Sequence, residues 1–284
     1  MAETFPGRNR PGPERVEAWD WRPPEGIGGF SSSEDDAQGP QPQSDTFDLE
    51  MHWSRGGYRG SLFAETDDAS AAYLDTLIAT ELIVLPAATV SGISIVQNDF
   101  LRTLARHNGC ELETFRRRLQ WDSGSFYHLI EDLCDKELIF RLPCRPLSDR
   151  SDLFYFCDTG ILHRLFNAKW SPTGQGAKNF AKSWEGFVVR TIWRKFGAAA
   201  ETFAWRQNDR DEIDLVVRFP LSGECWAIEI GIGNDKRPAS GFWVGVRALG
   251  ATHLRVIHRG LIDRTGRCER VTLSQFLADR LEGF

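Results

Sequence analysis

Asp214 and Glu229 flank a short turn in the stretch EIDLVVRFPLSGECWAIEIGIG, residues 212–233. The stretch reads as two strands joined at Pro220–Gly223. Side chains alternate along a strand, so Asp214, Val216 and Arg218 are predicted to share one face, opposite Ile213, Leu215 and Val217. Cys225, Ala227, Glu229 and Gly231 share a face of the second strand. Folding about the turn brings the two acids to about 4.5–7 Å at Cβ. Carboxylates that close repel unless a cation or proton lies between them. A hard cation such as Mg²⁺ takes oxygen ligands of this kind, polarises a phosphate and generates a hydroxide nucleophile. A third acid, Glu185, lies at the edge of an apolar helical stripe and is a candidate further ligand. Phosphodiester cleavage at such a site also wants a lysine two residues after the second acid, and that position is Gly231. The plainer alternative is an acidic hairpin paired with Arg206 or Arg210, or facing solvent.

The surrounding pattern supplies the elements that would position these groups. NFAKSWEGFVVRTIWRKFG is an amphipathic helix with Phe180, Trp184, Phe187, Val188, Thr191 and Ile192 on one face, stopped at Gly197. ETFAWR is a strand, the hairpin follows, then a helix around 239–249, the strand HLRVIH and a terminal helix from Ser274. Upstream, DLFYFCDTGILHRLF is a strand, Asp158 as cap, and a short helix. Residues 98–136 give three helices, the last capped by Ser123 or Ser125, and the strand ELIFRLP follows. An earlier helix, capped by Asp67 or Asp68, buries Ala71, Leu74, Leu77 and Ile78. Three helices followed by strands predict a winged helix. Its third helix carries Glu131, Asp132 and Asp135 and no cation before Lys136, which suits protein packing better than reading DNA. Arg116–Arg118 is the dense basic run of this region.

Composition limits the function classes. The 284 residues suffice for two modest domains and are 41% hydrophobic and 12% aromatic. The net charge of −6 is uneven: residues 1–50 hold 11 acids and 4 cations, and the body is nearly neutral. Residues 1–48, with PGRNRPGP and QGPQPQ, read as a disordered acidic tail, in which Trp19 and Trp21 offer a short docking segment. The six cysteines form no CxxC, which argues against a zinc ribbon, and no apolar run follows the N-terminus as in a secretory signal. Reduced thiols and a cytoplasmic location are expected. The longest apolar stretch, residues 82–96, contains Pro86 and is shorter than the roughly 20 residues of a membrane span.

Several segments in order resemble the C-terminal half of a group of prokaryotic AAA-type ATPases, a domain of uncharacterised function. WSRGGY (53–58), ELIFRLP (137–143), YFCDTGIL (155–162), WEGFVV (184–189), WRQNDRDEIDLVV (205–217) and WAIEIG (226–231) carry the resemblance across 49–258. It implies a winged helix, residues 49–150, followed by a PD-(D/E)XK, restriction-endonuclease-like domain, residues 151–284. The expected fold class is thus α/β, a mixed sheet with flanking helices behind a helical module. Carried over, Glu185 matches the helix glutamate, Asp214 and Glu229 the motif acids, and Ile230 offers a backbone carbonyl to Mg²⁺. The motif lysine falls on Gly231, and Lys236 is the candidate substitute. No G-x-x-x-x-G-K-[ST] is present, so the ATPase half of that group is not represented and no ATP use is expected.

The first reading is therefore a nuclease-fold, nucleic-acid-associated protein with catalysis reduced or lost, binding through Lys178, Lys182, Arg190, Arg194 and Lys195. The alternatives are an active Mg²⁺-dependent endonuclease that uses Lys236, and a non-enzymatic subunit that docks on a separate ATPase. Residues 164–218 carry 10 cations against 6 acids, which favours contact with DNA or another nucleic acid.

Overall fold

In a computed structural model, the residues described are 14–15, 48–82, 89–90, 93–94, 97–146, 152–166, 174–233, 236–260 and 263–279. Three helices open the body: α1 (Leu49–Arg55), α2 (Arg59–Leu62) and α3 (Asp67–Leu77). A two-residue strand pair follows, β1 (Thr89–Val90) with β2 (Ile93–Ser94). Then come α4 (Gln97–Arg106), α5 (Leu112–Leu119), α6 (Ser123–Asp135), β3 (Ile139–Leu142), β4 (Cys144–Arg145), β5 (Leu153–Phe156) and α7 (Thr159–Phe166). The last part is α8 (Gly174–Phe196), β6 (Glu201–Arg206), β7 (Glu212–Arg218), β8 (Cys225–Ile230), α9 (Ser240–Leu249), β9 (His253–Ile257), β10 (Glu269–Val271) and α10 (Leu273–Asp279).

The protein is a mixed α/β structure built on a mixed sheet with helices on both sides. The six strands run in the order β10-β9-β8-β7-β6-β4, antiparallel from β6 to β8 and parallel outside them. On one side α8 buries Trp184, Phe187, Val188 and Ile192 against Leu215, Val217, Ile228 and Ile230. On the other side α9 buries Phe242 and Val246 against Phe203, Trp205, Ile213, Val216 and Ala227. A separate core joins α3 to α7 and contains Leu101, Phe115, Phe126, Ile130 and Phe154. Sequence periodicity located all the longer elements. It missed the short helices α1 and α2 and the strands β1, β2, β4 and β10, which are two or three residues long and too short to show alternation.

Two predicted helix starts are corrected by one residue. The α3 cap is Thr66, which accepts from the Ala69 amide, while Asp67 and Asp68 occupy the first turn and favour its positive end. The α6 cap is Asp122, not Ser123 or Ser125. Asp158 does cap α7, accepting from the Ile161 amide at 2.9 Å. Its other oxygen accepts from the Gly57 amide at 2.8 Å, so the Arg-Gly-Gly and Asp-Thr-Gly segments lock together. That closeness demands small residues: a Cβ on Gly56 would strike the Asp158 carboxylate, and one on Gly160 the Arg55 carbonyl.

The expectation for residues 1–48 falls mostly outside the described residues, Trp19 and Trp21 included. Within it, Glu14 and Arg15 are placed against the body. Arg15 forms a β-bridge with Tyr58, donates to its hydroxyl at 2.7 Å and pairs with Glu137 at 3.4 Å. No described helix is long and apolar enough to cross a membrane.

Candidate active site

The candidate residues come together at one end of the central strands. The Leu215–Ile228 pair is the last registered step of β7 and β8 on this side, and Asp214 and Glu229 are the next residues outward. The predicted alternation fails beside Asp214. Ile213 packs with Val216 on the α9 side, because the β6–β7 register shifts between Phe203 and Trp205. Two residues of β6 there span three of β7, the signature of a bulge, which re-aims side chains and often lies beside active sites. Asp214 is held by its own hairpin: its Oδ2 accepts from the Ile230 amide at 2.8 Å.

Glu185, Asp214 and Glu229 are all buried, at 7%, 9% and 5% exposure. Buried carboxylates need partners, and here Glu185 and Glu229 pair with lysines and Asp214 with a backbone amide, rather than with Arg206 or Arg210. Lys182 Nζ lies 2.8 and 2.6 Å from the two Glu185 oxygens, and the Tyr155 hydroxyl donates to Glu185 at 2.6 Å. Lys236 Nζ lies 2.8 Å from Glu229 Oε1. Arg206 instead pairs with Glu212 at 3.2 Å. The stem of Lys236 runs over Gly231, where an added Cβ would lie 2.6 Å from Lys236 Cβ. Glu229 Oε2 is buried and has no hydrogen-bond partner among the described residues.

These contacts divide the proton affinities. Burial raises the Asp214 pKa well above the aspartate range, the charges of Glu229 and Glu185 raise it further, and the two lysines only partly offset this. Burial also raises Glu229, against the pull of Lys236. Glu185 goes the other way: burial opposes its charge, but Lys182 and the Tyr155 hydroxyl outweigh burial and lower its pKa. Lys182 and Lys236 lose solvation, yet the acids more than compensate and hold both ammonium groups above the ordinary lysine value.

The three acids do not form a compact ligand cluster. Among the described residues no three His, Cys, Asp or Glu side chains are grouped to hold a metal ion. Glu185 is engaged by Lys182 and Tyr155, whereas Asp214 and Glu229 lie next to each other just beyond the last registered β7–β8 pair. Sequence reasoning missed Tyr155 and the site role of Lys182. The three-residue spacing from Lys182 to Glu185, one helical turn, was a usable signal for the latter.

The residues of the predicted basic face of α8 differ in exposure, and Arg194 is exposed. Lys178 is exposed, but Lys182 turns to Glu185. Arg190 is buried, with Nη2 3.9 Å from Glu137, and Arg194 lies 3.8 Å from the same carboxylate. Lys195 is half-buried. α8 is enclosed on more than one side, so a helical projection overstated the open face.

The architecture and the site define an α/β protein with a buried acid–lysine cluster at the end of a mixed sheet. The chain is similar to two uncharacterized mycobacterial proteins, one of Mycobacterium bovis and one of Mycobacterium tuberculosis, each 28% identical over 191 residues. The match takes in 63% of this chain and 42% of each relative, so it spans less than half the relatives' length. No protein-family model and no solved structure matches the chain.

Proposed function

We propose that the chain is a metal-dependent phosphodiesterase of the restriction-endonuclease-like kind acting on nucleic acid, with Lys236 in the role that position 231 lacks. The observation that carries this reading is the placement of Lys236. Its ammonium lies 2.8 Å from Glu229, and its stem fills the space beside Gly231. This favours retained catalysis over the reading of a degenerate site.

The donor set fits a hard divalent cation at Asp214 and Glu229, with the Ile230 carbonyl as a further oxygen. Glu229 Oε2 is a buried acceptor without a donor among the described residues, and a cation would relieve the repulsion at Asp214. Bound there, Mg²⁺ would supply an activated water and polarise the phosphate. Lys236 supplies a fixed positive charge where negative charge develops, the largest electrostatic contribution such a site makes. Lys182 and Tyr155 fix Glu185, and burial keeps bulk water from screening these charges. The helices α4–α6 and the β3–β5 pair support the winged-helix reading. The acidic residues of α6 suit packing rather than groove insertion.

The test is cleavage of plasmid, linear and single-stranded DNA, and of RNA, with Mg²⁺ or Mn²⁺. Cutting is expected for the wild type, abolished in Asp214→Asn and Glu229→Gln, and reduced about 10²–10⁴-fold in Lys236→Met. A wild-type protein that cuts nothing with either metal, or cutting that survives Asp214→Asn, overturns the proposal.

A further inference from the structure

We propose that the cavity between the α4–α5 turn and α8 binds the phosphates of a nucleic-acid strand. The cavity encloses about 720 Å³ and is lined by Arg106, His107, Arg118, Lys178 and Lys182, with no acidic residue among its described lining residues. Its cations come from the end of α4, the end of α5 and one flank of α8, so they are spread rather than clustered at one point. Of the run Arg116–Arg118, the first two are tied to Glu113, at 2.6 and 2.8 Å, and Arg118 alone reaches the cavity. Arg106, Arg118 and Lys178 are exposed and make no ion pair among the described residues.

The wall is fixed rather than incidental. Asn108 is 5% exposed, donates to the Lys182 carbonyl at 3.0 Å and accepts from the Phe156 amide at 2.8 Å. It thereby clamps the α4–α5 turn onto both α8 and β5. Like charges held around one space repel each other, and a polyanion removes that cost. Arginine pairs with phosphate oxygens through two parallel hydrogen bonds. Phe166 also lines the cavity and offers a ring for a base to stack on. Lys182 lines the cavity and also holds Glu185, so a strand seated there would pass beside the acid site. The inference rests on the reading above for the strand's purpose, but binding requires neither metal nor cleavage.

Fluorescence anisotropy with a labelled single strand of about 16 nucleotides, in EDTA and across a salt series, tests it. The Arg106→Ser/Arg118→Ser double variant changes two exposed residues and should melt like the wild type. It is expected to bind at least about 10-fold more weakly, with a salt slope smaller by about 1.4. Equal affinity of the double variant and the wild type overturns the proposal. So does a mononucleotide that competes as well as the strand, which would assign the cavity to a small phosphate ligand. Retained binding without any cleavage would sink the phosphodiesterase reading and leave this one standing.

Discussion

Asp214→Asn should stabilise the protein, and by an amount that depends on pH. Asn keeps an oxygen for the Ile230 amide, so the 2.8 Å hydrogen bond can survive while the buried charge goes. Burial and the two neighbouring carboxylates hold the folded-state pKa of Asp214 well above the ordinary aspartate value. Between those two values the folded protein binds more protons than the unfolded chain, so wild-type stability falls as pH rises. The slope is at most about 1.4 kcal/mol per pH unit. Below the ordinary value the penalty vanishes, and above the folded value it is complete. From pH 5 to 7 the wild type therefore loses up to about 2.7 kcal/mol that the variant keeps. At roughly 2–4 °C per kcal/mol, the Tm gap should widen over that interval, by up to about 10 °C. Glu229, also raised, interacts with Asp214, so the difference reports the removal of Asp214 together with the response of Glu229. Thermal melts of both proteins at pH 5, 6 and 7 measure it, and Mg²⁺ should narrow the gap by stabilising the wild type alone. A gap that stays constant with pH, or a variant less stable at pH 7, would refute the electrostatic account.

Two further outcomes follow from the geometry. Gly231→Lys should displace Lys236 from Glu229; combined with Lys236→Ala it should recover at least about a tenth of the cleavage rate that Lys236→Ala alone loses. A double variant as inactive as Lys236→Ala, in a nuclease assay with Mn²⁺, would show that the two lysines are not equivalent. Asp158→Ala removes the acceptor for two buried amides, Gly57 and Ile161, and should cost about 3 kcal/mol or more. Urea unfolding checks it; a loss under about 1 kcal/mol would mean that water replaces the carboxylate.

Long periodic elements and the acidic pair were legible because they repeat a simple spacing. The α8 stripe from Phe180 to Ile192 and the strands around 201–230 were found this way. What escaped depends on contacts across the chain. The bulge that sets Ile213 beside Val216 arises from the register with β6, which no single strand encodes. Tyr155 reaches Glu185 only because β5 packs against α8, and it lies 30 positions away in sequence. Arg190 looked like surface because its own helix gives no sign of Glu137, which comes from the turn after α6. The caps Thr66 and Asp122 were missed by one residue, because adjacent polar residues compete for the same role.

Gly231 and Lys236 act as one unit. Any side chain at 231 would occupy the space through which the Lys236 stem passes, so the glycine is the condition for the lysine's approach. The charge count then locates what remains. Among the described residues three buried acids share two lysines: Lys182 serves Glu185, Lys236 serves one oxygen of Glu229, and Asp214 receives only a backbone amide. The deficit of one positive charge falls on Asp214 and on the free oxygen of Glu229. A proton can fill it, in line with the Asp214 pKa that burial first and the neighbouring carboxylates second push up, and a divalent cation would fill it as well. On the phosphodiesterase reading, the cluster is poised: the lysines neutralise enough charge for the acids to be buried. They leave uncompensated the pair of oxygens on which a metal would sit.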